Sequence, residues 1–274
     1  MLKITALVEN TSISKEYRSI HGLSLYIETE KHRILFDVGP DDTFAYNARK
    51  MGIDLSLVDT VIISHGHFDH GGGLKKLLEI NNTAKIYFSK SAFEPHYIKV
   101  LGFAFNIGLD KKLLPNDRFI FADDLTVIDE ELTLFSNVST ELYPTKTNGA
   151  LYAKKQKKLA ADDFSHEQNL IIKSGENHIL VCGCAHAGIV NILGKAESVA
   201  SCEMSTVIGG FHLYNPPTRK YESDELINDI AKALDGRNAR YYTGHCTGIK
   251  AFELMMTALG DRLHYLATGC EINL

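Results

Sequence analysis

Apolar and polar positions alternate along much of this chain, and the period of the alternation changes from segment to segment. Residues 23–29 (LSLYIET) alternate at period two, and 32–39 (HRILFDVG) do so after a short charged turn. The pair predicts a hairpin entering a sheet. Residues 43–52 (TFAYNARKMG) have helical spacing and end at a glycine that can close a helix. A β-branched apolar run at 58–64 (VDTVIIS) predicts a buried strand. Helical spacing returns at 73–80 and another strand pattern at 84–89.

From 90 to 160 the pattern is less regular, with Pro95, Pro115 and Pro144, and short strand signals at 125–128 and 132–138. Regularity resumes at 169–174 and 178–184, a hairpin around GEN. Strands are then predicted at 205–210, 239–244 and 263–269, and helices at 188–198, 223–234 (capped by Ser223) and 248–259. No fixed-period repeat is visible. Strand-rich stretches and βα units in both halves predict an α/β layered fold: two sheets, helices outside, and a site along one edge. We expect a single domain over 1–274, with 90–160 an insertion that covers the site.

One stretch breaks the pattern. SHGHFDHGGG (64–73) sets three of the chain's 12 histidines and one aspartate, His65, His67, Asp69 and His70, at the end of a predicted strand. Imidazole and carboxylate are standard ligands of zinc and similar ions. Residues two apart in extended chain point the same way, so His65 and His67 are expected to share one ion. Asp69 and His70 follow once the chain has turned and are expected to face a second. Gly71, Gly72 and Gly73 permit a tight turn and close approach of a substrate to the backbone. Three more histidines follow strands in glycine-rich surroundings: His186 in CGCAHAG, His212 in GGFHL and His245 in TGHCTG. The recurrence is more informative than any single position. The glycines contain no GxGxxG, so no dinucleotide site is implied.

Composition narrows the classes. Net charge is −5, against a broad nucleic-acid surface, although KKQKK at 154–158 offers a local basic patch. No apolar run reaches the roughly 20 residues of a membrane span, and MLKITALVEN lacks the shape of a signal peptide. Five cysteines without framework spacing predict reduced thiols and a cytoplasmic setting. Cys184 and Cys246, beside proposed ligands, are read first as small packing residues.

SHGHFDH matches the H-x-H-x-D-H signature of the metallo-β-lactamase superfamily, and ILFDVG resembles its preceding aspartate strand. NARKMGIDLSLVDTVIISHGHFDHGGGL, CGCAHAGIVNIL, VIGGFHL and GHCTG are similar to its dihydropterin–ribofuranosylaminobenzene phosphate synthase-like branch. The resemblance implies a four-layer αβ/βα sandwich with two mixed sheets and two divalent ions at one edge, zinc first, iron or manganese as alternatives. It implies His65 and His67 at a first ion, Asp69, His70 and His245 at a second, and Asp37 as their support. Where many members have a bridging aspartate, this chain reads GCAH. His186 is the expected ligand there, with Cys184, Glu167 and His166 left open.

The expected activity is metal-dependent hydrolysis, a metal-activated hydroxide attacking an ester, lactone or phosphoester bond of a small, possibly anionic, molecule. Asp69 is expected to orient or deprotonate the nucleophile, and His212 to stabilise the developing oxyanion. The rivals are a di-iron redox protein, a metal-stabilised binding module and a nuclease.

Overall fold

A computed structural model describes residues 2–155 and 158–274; Gln156 and Lys157, inside the basic run, lie outside the described residues. The described residues form two seven-stranded mixed sheets. The first runs, in spatial order, Glu271–Asn273, Lys3–Val8, Ser24–Glu28, Arg33–Phe36, Thr60–Ile62, Lys85–Ser89 and Phe119–Ala122. The second runs Leu263–Tyr265, Arg240–Thr243, Thr206–Gly209, Asn177–Val181, Gln168–Ser174, Leu132–Ser136 and Leu125–Val127. Each sheet has three antiparallel pairings at one side and three parallel pairings at the other.

The period-two pattern decides which layer each side chain joins. Ile34 and Phe36 point into the layer between the sheets, and Leu35 points out to the helices. Ile62 goes inward, Val61 and Ile63 outward. In the second sheet Ile179 and Val181 go inward and Leu180 outward. The outward faces are covered by helices Thr43–Lys50 and Leu74–Ile80 on one side and Ile189–Ala200, Asp224–Asp235 and Ile249–Leu259 on the other. Ser223 caps its helix as expected, its hydroxyl accepting from Leu226 N–H. The result is the four-layer sandwich.

The irregular stretch 90–160 divides between two destinations. Phe119–Ala122 extends the first sheet, while Leu125–Val127 and Leu132–Ser136 extend the second. His96–Val100, Phe103–Asn106, Leu151–Lys155 and Lys158–Ala161 instead pair into a separate four-stranded sheet. This small sheet brings Ile98 and Leu151 to the wall of the pocket that holds His67 and His245. Ile107 and the turn Thr147–Ala150, whose Asn148 bonds His186, reach the site as well.

Two of the three glycines after His70 serve close backbone packing. Gly72 and Gly73 have ordinary helical φ values, −63° and −73°. A Cβ on Gly72 would stand 2.2 Å from the carbonyl oxygen of Pro40, and one on Gly73 2.5 Å from that of Val38. They let the histidine segment pack onto residues 38–41 without entering the left-handed region.

Candidate metal centre

Parallel strands deliver the site, because their carboxyl ends all face one rim. Asp37 follows Arg33–Phe36; Ser64, His65 and His67 follow Thr60–Ile62; Cys184 and His186 follow Asn177–Val181; His212 follows Thr206–Gly209; His245 follows Arg240–Thr243. The loops turn sharply there. Asp37, Ala185, His212 and His245 have φ of 58°, 55°, 46° and 44°, the left-handed region that costs non-glycine residues energy and concentrates at functional sites.

Buried hydrogen bonds fix how each ring faces. Asp37 accepts from Ser64 N–H and the Ser64 hydroxyl, both at 2.7 Å, and from His70 Nδ1 at 2.6 Å. Ser64 Oγ has given its proton to Asp37, so at 2.9 Å it accepts from His65 Nδ1. Two matching clamps hold the later histidines. Asn148 donates to the His186 carbonyl at 2.8 Å while its Oδ1 meets His186 Nδ1 at 3.0 Å. Asn10 donates to the His245 carbonyl at 2.8 Å while its Oδ1 meets His245 Nδ1 at 3.0 Å. An amide oxygen only accepts, so Nδ1 carries the proton in both rings and Nε2 is left with a lone pair. Nε2 of His65, His67, His186 and His245, and both ring nitrogens of His212, are buried with no hydrogen-bond partner among the described residues.

Two buried carboxylates shape the loops. Glu167 accepts from His186 N–H at 2.6 Å and Ala187 N–H at 3.0 Å. Both of its oxygens thus anchor backbone, and among the described residues Glu167 joins none of the donor groups that could hold an ion. Burial pushes it up to about 7 against those amide bonds. Glu9 accepts from His245 N–H and Thr11 N–H and from the Tyr265 hydroxyl.

Donor atoms gather in overlapping groups within 4.8 Å: His65 with Cys184 and His186; His70 with Cys184 and His245; His21 with Asp69 and His245; Cys184 with His212 and Cys246; His67 with His96, Asp162 and His166. His67 therefore stands between two clusters rather than simply beside His65. Its ring lies 4.6 Å from His65, 5.1 Å from His186, 5.1 Å from His166 and 5.7 Å from His96. His166 accepts from Gly66 N–H through Nδ1 at 2.9 Å and turns Nε2 toward Asp162, 3.3 Å away. In this arrangement it braces the segment between His65 and His67 from behind, while His186 shares a donor group with His65. Asp162 also meets His96 Nδ1 at 2.9 Å. Gly66 is required because a Cβ would fall 2.4 Å from the Ala92 carbonyl oxygen.

Electrostatics suit a cation. Burial and neighbouring imidazoles hold His65 and His186 well below the usual histidine range, so both rings are neutral and able to donate a lone pair. Burial opposes the charge on Asp69, but His70, His21 and His245 outweigh it and keep the carboxylate ionised. Burial likewise opposes a charged His70, yet Asp37 and Asp69 push it up to about 9. A divalent ion at His70 Nε2 would take the place of that second proton. Buried, unpartnered, neutral imidazoles next to an ionised carboxylate fit a divalent metal and little else.

His67, Asp69, Cys184, His186, His212 and His245 floor a pocket of about 140 Å³ with an apolar wall of Phe68, Ile98, Ile107, Leu151, Pro216 and Pro217. It shares Asn215 with a larger hollow of about 600 Å³ flanked by Lys99, Lys146 and Lys220. His21, Glu9, Asn10 and Asn148 were not singled out by sequence. His21 precedes a strand rather than following one, and the clamp asparagines carry no spacing signal.

This chain belongs to the metallo-beta-lactamase superfamily, whose family model matches residues 20–153. Its fold is the metallo-β-lactamase sandwich. More particularly, it is 28% identical, over 98% of its own length and 95% of the other, to a Methanocaldococcus jannaschii protein. That protein is named 7,8-dihydropterin-6-methyl-4-(beta-D-ribofuranosyl)-aminobenzene-5'-phosphate synthase. It is 30% identical to an uncharacterised protein of the same organism, over 92% of each chain. Among solved structures it is similar to Tm1679, described as a metal-dependent hydrolase of the beta-lactamase superfamily. The TM-score is 0.85 at 28% identity, covering 100% of this chain and 99% of that one.

Proposed function

We propose that this protein is a two-metal hydrolase of a small anionic molecule, cleaving an ester, lactone or phosphoester bond. The observation that carries the reading is the set of bare, buried Nε2 atoms of His65, His67, His186 and His245, with His67, Asp69, His186 and His245 lining one pocket floor. Zinc is the first choice of ion for this nitrogen-rich set. Divalent ions held there supply Lewis acidity and activate water at neutral pH.

The chain's own groups then divide the work. His65, His67 and His186 hold the first ion, and Asp69, His70 and His245 the second. Asp69 Oδ2 lies 3.3 Å from His21 Nε2, whose side chain is 40% exposed, so a proton taken from the attacking water has a way out to solvent. His212 faces the same floor with two unengaged nitrogens and donates to the oxygen that gains charge. The apolar wall admits the body of the substrate and keeps water out, while Lys99, Lys146 and Lys220 meet its anionic end. The synthase name of one relative favours a second reading, in which a second substrate replaces water as the acceptor.

Zinc- and manganese-loaded protein assayed against esters, lactones and phosphodiesters tests this. Turnover that is lost with a chelator and restored by metal supports hydrolysis. Turnover that needs an added nucleophile moves the assignment to group transfer. Tightly bound redox-active iron without hydrolysis sinks it.

A further inference from the structure

We infer that Cys184 is a metal ligand shared by both halves of the centre. The inference rests on the metal-centre reading and is independent of hydrolysis.

Cys184 Sγ lies within 4.8 Å of the donor atoms of His65 and His186, and equally within 4.8 Å of those of His70 and His245. Among the described residues, no other donor belongs to both groups. Its distance to His70 Nε2 is 3.1 Å, the imidazole nitrogen itself directed at the sulfur. The neighbouring Cys182 shows what a packing cysteine looks like here. Cys182 belongs to the apolar cluster under helix Ile189–Ala200, with weak contacts from Sγ to the carbonyls of Ile208 and Gly210. Two residues on, the chain has left the strand and entered the turn at Ala185, where φ is 55°. Cys184 is as buried as a core residue, yet it joins none of the three apolar clusters.

Charge points the same way. Two divalent ions bring four positive charges into a buried site, where Asp69 is the one carboxylate among the six donors proposed for them. Buried charge is costly unless balanced, and a thiolate between the ions supplies a second negative charge where both can use it. A soft sulfur donor also biases the centre toward zinc over magnesium or calcium. Cys246 is not an equivalent candidate. Its Sγ accepts from His212 N–H at 3.2 Å and is directed at the Cys184 carbonyl at 3.6 Å. Its donor group includes neither His65 nor His70.

X-ray absorption on the zinc-loaded full-length protein reads the bond directly. We expect a sulfur scatterer at about 2.3 Å beside nitrogen and oxygen at roughly 2.0–2.1 Å. Cadmium-loaded wild type should show a thiolate-to-metal absorption band. Cys184→Asp should lose the band and keep two ions per chain, whereas Cys246→Ser should keep the band. A shell of nitrogen and oxygen alone, or a band that survives Cys184→Asp and disappears in Cys246→Ser, overturns the assignment. So does wild-type protein that takes up no metal, which would also remove the metal centre; zinc bound through sulfur with no hydrolysis removes only the hydrolase reading.

Discussion

A histidine becomes a ligand through what holds its other nitrogen. His186 and His245 are each straddled by an asparagine that bonds both backbone carbonyl and ring Nδ1. Such support typically changes metal affinity 10–100-fold. Asn148→Ala and Asn10→Ala are therefore expected to weaken zinc binding by about that factor, measured by competition with a chromophoric chelator. His212 plays a different part. Asn at 212 tolerates the observed positive φ, so His212→Asn should fold. We expect it to keep both ions while kcat drops about 10²–10³-fold with KM little changed. Loss of an ion instead would make His212 a ligand.

At this scale the sequence was half legible. Histidines at strand ends were visible because strand and glycine punctuation flagged them. The clamps, Glu9 and the anchoring role of Glu167 were not. An asparagine in a loop is ordinary until its neighbour in space is known, and Asn10 meets His245 across 235 positions of chain.

Among elements, many strands were readable as short β-branched or apolar runs bounded by turn residues, since a sheet covered on both faces needs apolar side chains on each. The small four-stranded sheet was not. Its strand Phe103–Asn106 is exposed along its whole length, so alternation had no core to answer to. The strand at Lys3–Val8 is buried nearly throughout, which hides any period. One element contact gives a pH prediction away from the site. His32, at the turn of the first hairpin, bonds Asp59 at 2.8 Å and Asp129 at 2.5 Å, tying that turn to residues before the strand Leu132–Ser136. Burial lowers its pKa, but the two aspartates outweigh it and the net shift is upward from 6.5. A raised folded value means stabilisation that is complete below the unfolded pKa and fades as pH rises through the folded one. The stability difference between wild type and His32→Gln, from urea melts, should therefore shrink as pH climbs above about 6.5; a difference that grows would contradict the ion pairs.

Over the whole molecule, the two sheets split the donors. His65, His67, Asp69 and His70 come from the first, Cys184, His186, His212 and His245 from the second. Ions bound between them would hold the sandwich closed at its rim, and donors gathered only by folding would favour the folded chain. Zinc at 100 times its dissociation constant should add about 2.7 kcal/mol per site, seen as a rise in Tm that a chelator reverses. An unchanged Tm would place the ions elsewhere. No helix among the described residues is long and apolar enough to cross a membrane, in keeping with the composition.

The short turn Thr147–Ala150 carries more than its length suggests. Asn148 orients His186, the Thr147 hydroxyl donates to the His212 carbonyl at 2.7 Å, and Lys146 and Gly149 face the lysine-flanked hollow. Side chains that face the hollow and side chains that set the two histidines therefore come from one short turn and its cap, so entrance and floor are built from a single piece of chain.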